Sequence, residues 1–169
     1  VNMAAPGLPR LYKYLSSADV PDWPTGPCSA NKPVGWWLSV EDAWERWSHA
    51  EQFRTERVRW RRQVTFTPDA RVTMFATGTV EFAEFTDRYC RTSDPKLSES
   101  DPDWPRVAAD MDVLVLSPWD LPRGSRPYRW DFNWDVPSGV VLNPRVAVFG
   151  PAEQRPVPDA ATVERWAGG

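Results

Sequence analysis

Proline limits this chain's folding more than any other residue, with 18 of them among 169 positions. Each proline fixes φ and removes a backbone donor, so helices and central strands must fit between them. Pro21, Pro24, Pro27 and Pro33 predict a long loop after the first strand. Pro95, Pro102 and Pro105 predict a second loop, made acidic by Asp94, Glu99, Asp101 and Asp103. Pro118, Pro122 and Pro127 interrupt a third, and Pro151, Pro156 and Pro158 lead into a tail. Loops this long in a compact domain are usually functional or mobile.

The segments between these loops carry readable periods. Residues 10–15 read as a strand, with Leu11, Lys13 and Leu15 on one side and the tyrosines on the other. A short apolar run follows at 34–38. Ser39 with Asp42 three residues on resembles a capping box. Val40, Ala43, Trp44, Trp47 and Ala50 then recur at helical spacing, with Glu41, Glu45, Arg46 and Glu51 between them, which predicts a helix over 40–53. Residues 57–66 alternate. Val58, Trp60, Val64 and Phe66 share one face with Arg62 intruding, and Arg57, Arg59, Arg61, Gln63 and Thr65 share the other. Residues 71–76 read as a strand. Thr79 caps a predicted helix whose apolar side is Val80, Phe82, Ala83, Phe85 and Tyr89. Further strands are predicted at 112–117, 128–132, 139–142 and 145–149, and a short helix at 160–166. There is no repeat and no regular βαβ alternation. The pattern predicts an α+β fold: a mostly antiparallel sheet, whole or split, with two or three helices. Residues 1–150 read as a single globular domain, and 151–169 as a Pro-rich tail with a short helix.

The length suits one domain, and 25% charged with 41% hydrophobic residues is a globular rather than a disordered balance. No run approaches the ~20 apolar residues of a membrane-spanning helix. Residues 1–9 lack a secretory layout. Cys28 and Cys90 are spaced so that they either form one disulfide or stay as free thiols, with no disulfide framework and no metal spacing; two free thiols fit a cytoplasmic location. A single histidine, His49, excludes a His-rich zinc site. The net charge of −3 argues against nucleic-acid capture by the whole molecule, although Arg54, Arg57, Arg59, Arg61 and Arg62 make one segment basic. The 11 tryptophans suit an aromatic core, a stacking cleft or a partner interface.

Motifs of high specificity are absent: there is no phosphate-loop lysine, G-x-S-x-G, H-E-x-x-H or G-x-G-x-x-G. Weaker constellations remain. In Lys32-Pro33-Val34-Gly35-Trp36-Trp37-Leu38-Ser39, the Ser39 hydroxyl beside helix N–H groups suits a phosphate or ribose, or simply caps the helix for about 1 kcal/mol. Trp36 or Trp37 supplies a stacking wall, or belongs to the core. Arg10 and Lys13, interleaved with Tyr12 and Tyr14, suit a phosphate or carboxylate, or are solvated strand cations. In residues 128–139, Asp131 and Asp135 offer a base or a hydroxyl-orienting group if this is a site and not an elaborate turn. Glu81 and Glu84 share a helix face as paired carboxylates suited to acid–base work, or as solvent-facing charges. The face of Arg57, Arg59 and Arg61 suits a nucleic-acid backbone or protects a sheet edge.

The order Leu11-Tyr12-Lys13, then Lys32 to Ser39 before a helix, resembles the front half of ADP-ribosyltransferase-like proteins. The resemblance covers about a third of the chain. The stretch from Asp103-Trp104 to Pro118-Trp119, followed by Trp134-Asp135-Val136-Pro137-Ser138-Gly139, is similar to uncharacterised proteins of actinobacteria and their phages. The transferase resemblance implies a split antiparallel sheet with an NAD cleft. In it Arg10 or Lys13 holds the pyrophosphate or ribose, Ser39 supports the nicotinamide ribose and Trp37 stacks near the nicotinamide. An acidic residue, Glu81 or Asp135 foremost, stabilises the developing positive charge, and the acceptor is a macromolecule. Lys13 and Tyr14 stand where one branch of that family has histidine and glycine. The alternative is a non-catalytic, Trp-rich module that binds a protein partner in the manner of a phage inhibitor.

Overall fold

The computed structural model describes residues 7–27, 32–90, 101–117, 130 and 134–168. In chain order its elements are β1 (Leu11–Leu15), β2 (Trp36–Val40), α1 (Ala43–Ala50), β3 (Trp60–Phe66), β4 (Val72–Phe75), α2 (Val80–Tyr89), α3 (Trp104–Asp110), β5 (Val113–Leu116), β6 (Ser138–Val141), β7 (Ala147–Gln154) and α4 (Ala160–Ala167). The strands form one sheet in the order β4-β5-β6-β2-β1-β3-β7. All pairs are antiparallel except β4–β5, whose parallel pairing needs a crossover, and α2 and α3 supply it. The α+β expectation holds.

Both faces of the sheet are buried at its centre, and the short run Val113-Leu114-Val115-Leu116 shows how. Leu114 and Leu116 enter a core with Phe82, Phe85 and Tyr89 from α2, Val107 from α3 and Met111 just beyond it. Val113 and Val115 enter the opposite core with Leu11, Leu38, Val64 and Val141. Period two sends alternate side chains to opposite faces, so an unbroken apolar run is what a strand covered on both sides requires. Trp130 closes the first core: it stacks on Phe82 at 5.2 Å, and its Nε1 donates to Thr86 Oγ1 at 3.0 Å. Asp112, buried just before β5, accepts from Arg71 N, Nε and Nη2 and from Asn143 Nδ2 at 2.9–3.1 Å, clipping the ends of neighbouring strands together. These bonds and the Arg71 charge hold its carboxyl below the usual range.

The four α-helices among the described residues correct the expectation of two or three. The additional one is α3, which lies where prolines and acids predict a loop. Asp103 Oδ1 accepts from Arg106 N at 3.3 Å, and Pro105 sits in the first turn, where a missing N–H costs nothing. Those prolines therefore mark a helix start. The predicted helix at 40–53 shortens to Ala43–Ala50, because Ser39 and Val40 belong to β2 and the N-cap is Asp42, which makes no side-chain cap bond. The strand predicted from Arg57 begins at Trp60, after a 3-10 turn at Thr55–Val58. Thr79 caps α2 as its spacing predicts, accepting from Phe82 N. β7 carries the ladder past residue 150, and α4 packs on α1, with the His49 and Trp166 rings 6.1 Å apart. The strand predicted at 128–132, apart from Trp130, lies outside the described residues, as do Cys28 and Asp131. Among the described residues no helix is long and apolar enough to cross a membrane.

Candidate functional site

β1 and β2 are adjacent but share only two residue pairs, Leu11↔Val40 and Tyr12↔Ser39. Beyond Tyr12, β1 pairs with β3 alone, as far as Leu15↔Trp60. Toward its start, β2 pairs with β6 alone, as far as Trp36↔Val141. The cleft lies where these two strands part. It has a volume of about 740 Å³, with α1 along it, within the range that holds a small-molecule ligand.

Its aromatic lining comes from Tyr14 on β1, Trp37 on β2, Trp44 and Trp47 on α1, and Phe53 beyond. Trp37 meets Trp134 edge-on at 4.6 Å, with Lys32 Nζ 5.0 Å from the Trp37 ring centre. Trp47 lies 6.2 Å from Trp44 and 5.4 Å from Phe53. Among the described residues the Nε1 groups of Trp37 and Trp134 are buried with no acceptor, an arrangement that costs free energy. The cations are Lys13, Lys32, Arg54 and Arg57, against the acids Glu51 and Asp135. Arg54 and Gln52 have φ of +48° and +52°, a left-handed conformation costing roughly 1–3 kcal/mol each in a side-chain-bearing residue. The turn that holds them is tied back to α1, where Phe53 N donates to Ser48 O at 2.8 Å and Ser48 Oγ donates to Phe53 O.

Two serines dock α1 onto the sheet. Ser39 Oγ accepts from Trp44 N at 2.9 Å and donates to Glu41 O at 3.1 Å. Opposite it in register, Ser138 Oγ accepts from Trp44 Nε1 at 3.0 Å and donates to Val136 O at 2.8 Å. Ser39 thus anchors the first turn of α1 from within a strand, and its hydroxyl is already engaged.

The buried positions on α1 are polar. Glu45 and Ser48 are buried, while Trp44 and Trp47 stay partly exposed along the cleft. The Glu45 carboxylate accepts from the Tyr14 hydroxyl at 2.9 Å and from Arg155 Nε at 3.0 and 3.2 Å. Burial first, and then the Glu45 charge, raises the Tyr14 hydroxyl above its ordinary range and keeps it neutral. Helical periodicity sets Glu45 among the polar positions between the apolar stripe. No local signal identifies it, because its partners lie 31 and 110 residues away.

Of the residues predicted from sequence, Lys13, Trp37, Ser39 and Asp135 come together in this cleft. Arg10 and Glu81 do not. Arg10 is exposed just before β1, where its N–H donates to Glu41 Oε1 at 3.0 Å. Glu81, with Glu84, is exposed on α2. The expected arginine face is divided: Arg57 joins the cleft, whereas Arg61 is held in a fork by Glu153 at 2.8 and 3.0 Å. The arrangement can hold a ligand with an aromatic part and an anionic part, and it brings a carboxylate, Asp135, to the same space. In comparisons with known proteins, no family model, no curated protein and no solved structure matches this chain.

Proposed function

We propose that the chain is an ADP-ribosyltransferase-like domain whose cleft between β1 and β2 takes NAD and passes its ADP-ribose to a macromolecule. The observation that carries this reading is the parting of the two strands after Tyr12 and Ser39, with Lys13, Trp37, Ser39 and Asp135 all lining the gap. The sheet stays continuous through these two residue pairs, and the partial parting beyond them supports the cleft that the resemblance implies. Lys13, Lys32, Arg54 and Arg57 suit a pyrophosphate, and Trp37 with Trp44 and Trp47 suits a nicotinamide or adenine ring. Ser39 contributes by fixing α1. Asp135 is the acid of choice for the reaction, since Glu81 stands on α2 and outside the cleft lining. Displacement breaks the bond from the ribose anomeric carbon to nicotinamide, which leaves with the electron pair. The acceptor's nucleophile bonds that carbon and sheds its proton to water. A carboxylate beside the ribose stabilises the positive charge that develops between these events.

The test is NAD binding by calorimetry and thermal melting. At a hundredfold excess over the dissociation constant, binding adds about 2.7 kcal/mol of stability. No rise in melting temperature at millimolar NAD refutes the reading. Lys13→Ala and Trp37→Phe weaken binding, Arg10→Ala and Glu81→Ala leave it unchanged, and Asp135→Asn lowers nicotinamide release with little effect on affinity.

A further inference from the structure

We infer that the segment following β7 is a working part of the cleft, with Arg155 and Glu45 as positioning residues that hold α1 and Tyr14 in the ligand-binding geometry. The inference deepens the nucleotide reading and rests on the cleft being a ligand site.

The argument begins with an unfavourable choice of residue. Glu45 is 3% exposed on the side of α1 that packs on the protein, a place where a leucine would be ordinary. Burying a carboxylate costs several kcal/mol, and its pairing with a cation only offsets that loss, so a buried ion pair is weak evidence of stabilisation. What the pair does supply is direction. Arg155 Nε meets both oxygens of Glu45, and one of those oxygens takes the Tyr14 hydroxyl. Tyr14 itself lines the cleft.

A second route leads to the same place. Arg155 Nη1 donates to Glu153 Oε1 at 2.7 Å, and Glu153 grips Arg61. Arg61 lies 4.3 Å from the Tyr12 ring centre and stands opposite Tyr14 in the β1–β3 register. Tyr14 is therefore linked to Arg155 through Glu45 and, by way of its register partner Arg61, through Glu153. Arg155 is fixed in turn by its backbone N–H, which donates to Arg59 O at 2.7 Å. Beyond it, α4 lies against the same helix, with Trp166 near His49.

α1 is also the element whose flanks carry the left-handed residues Glu41, Gln52 and Arg54. Such conformations persist only where surrounding contacts over-determine them. The Arg155–Glu45 link fixes the helix that lies between these residues, and it comes from the segment after β7. Because Trp44, Trp47 and Ser48 reach the cleft from α1, a small rotation of that helix changes the width of the cleft.

The test uses full-length variants. In Glu45→Leu/Arg155→Met, apolar groups of similar size replace the pair, so the fold is retained while the direction is lost. This variant is expected to melt near the parent, to bind NAD at least about tenfold more weakly, and to exchange backbone amides of residues 43–50 faster relative to those of α2. Arg155→Lys, which keeps the charge, recovers part of the affinity that Arg155→Met loses. A folded double variant with parental affinity and parental exchange overturns the inference. If the parent protein binds no NAD, the nucleotide reading falls by itself, and exchange at residues 43–50 alone decides this one. Unchanged exchange there overturns it.

Discussion

Gly35 stands at the entrance of β2, where that strand meets β6, and a single methyl group there tests the geometry of the cleft floor. A Cβ at Gly35 would lie 2.2 Å from the Val141 carbonyl oxygen and 2.8 Å from Val140 Cγ2. Real Cβ contacts essentially never fall below 3.0 Å, so the backbones must separate by roughly 0.8 Å (3.0 − 2.2). The nearer obstacle is main chain, which cannot rotate aside as a side chain can. Overpacking of this kind costs about 1–3 kcal/mol, and stretching one ladder hydrogen bond adds ~1 kcal/mol. Gly35→Ala should therefore lose about 3 kcal/mol, a fall in melting temperature of roughly 6–12 °C for a chain of this size. Urea unfolding followed by far-UV circular dichroism gives the free energy directly. Gly26→Ala, where a Cβ meets nothing within 4 Å, is the control, and Gly139→Ala, at 3.3 Å from a Val115 methyl and 3.5 Å from the Leu114 carbonyl oxygen, should fall between the two. A Gly35→Ala protein within about 0.5 kcal/mol of the parent, the scatter of ordinary surface changes, would refute the close approach of β2 to β6.

Two further outcomes follow from buried groups. Asp112→Ala removes the acceptor for Arg71 and Asn143 and should cost about 2–3 kcal/mol, since hydrogen bonds to a charged group are the stronger kind. The folded Asp112 carboxyl lies below its unfolded value of ~3.9, so its contribution is fully present above that pH and disappears as pH falls through the folded value. Asp112→Asn should accordingly unfold less steeply in acid than the parent, and identical acid profiles would contradict the assignment. The Cys90 thiol is buried, and burial followed by the charges of Asp101 and Asp87 pushes it up to about 12. At pH 8 it should resist alkylation in the folded protein and react once urea is added, as peptide mass spectrometry would report. Rapid labelling of native Cys90 would show that α2 opens locally.

Much of the secondary structure is legible because it depends on near neighbours. The Thr79 cap needs only Phe82, three residues away, and the alternation in β3 needs only the pleat. Asp103 with Pro105 carries the same kind of local signal for α3, which a reading of prolines as breaks overlooks. The site is less legible. Lys13, Trp37, Ser39 and Asp135 stand out from their local chemistry, but so do Arg10 and Glu81, and the chain carries no mark that separates the two groups. Glu45 illustrates the limit from the other side. It occupies an ordinary polar position of an amphipathic helix, yet it is buried and takes bonds from β1 and from the segment after β7.

By itself, the amino-acid sequence determined the α+β class, the approximate places of most described strands and the Thr79 cap of α2, because these follow from patterns within a few residues. Tertiary structure alone decided that β1 and β2 part after two pairs, which candidates share the cleft and which face of α1 is buried. The physical reason is that strand order, the register between distant strands and the partner of a buried charge are properties of residue pairs far apart in the chain. They come together only when the sheet is assembled.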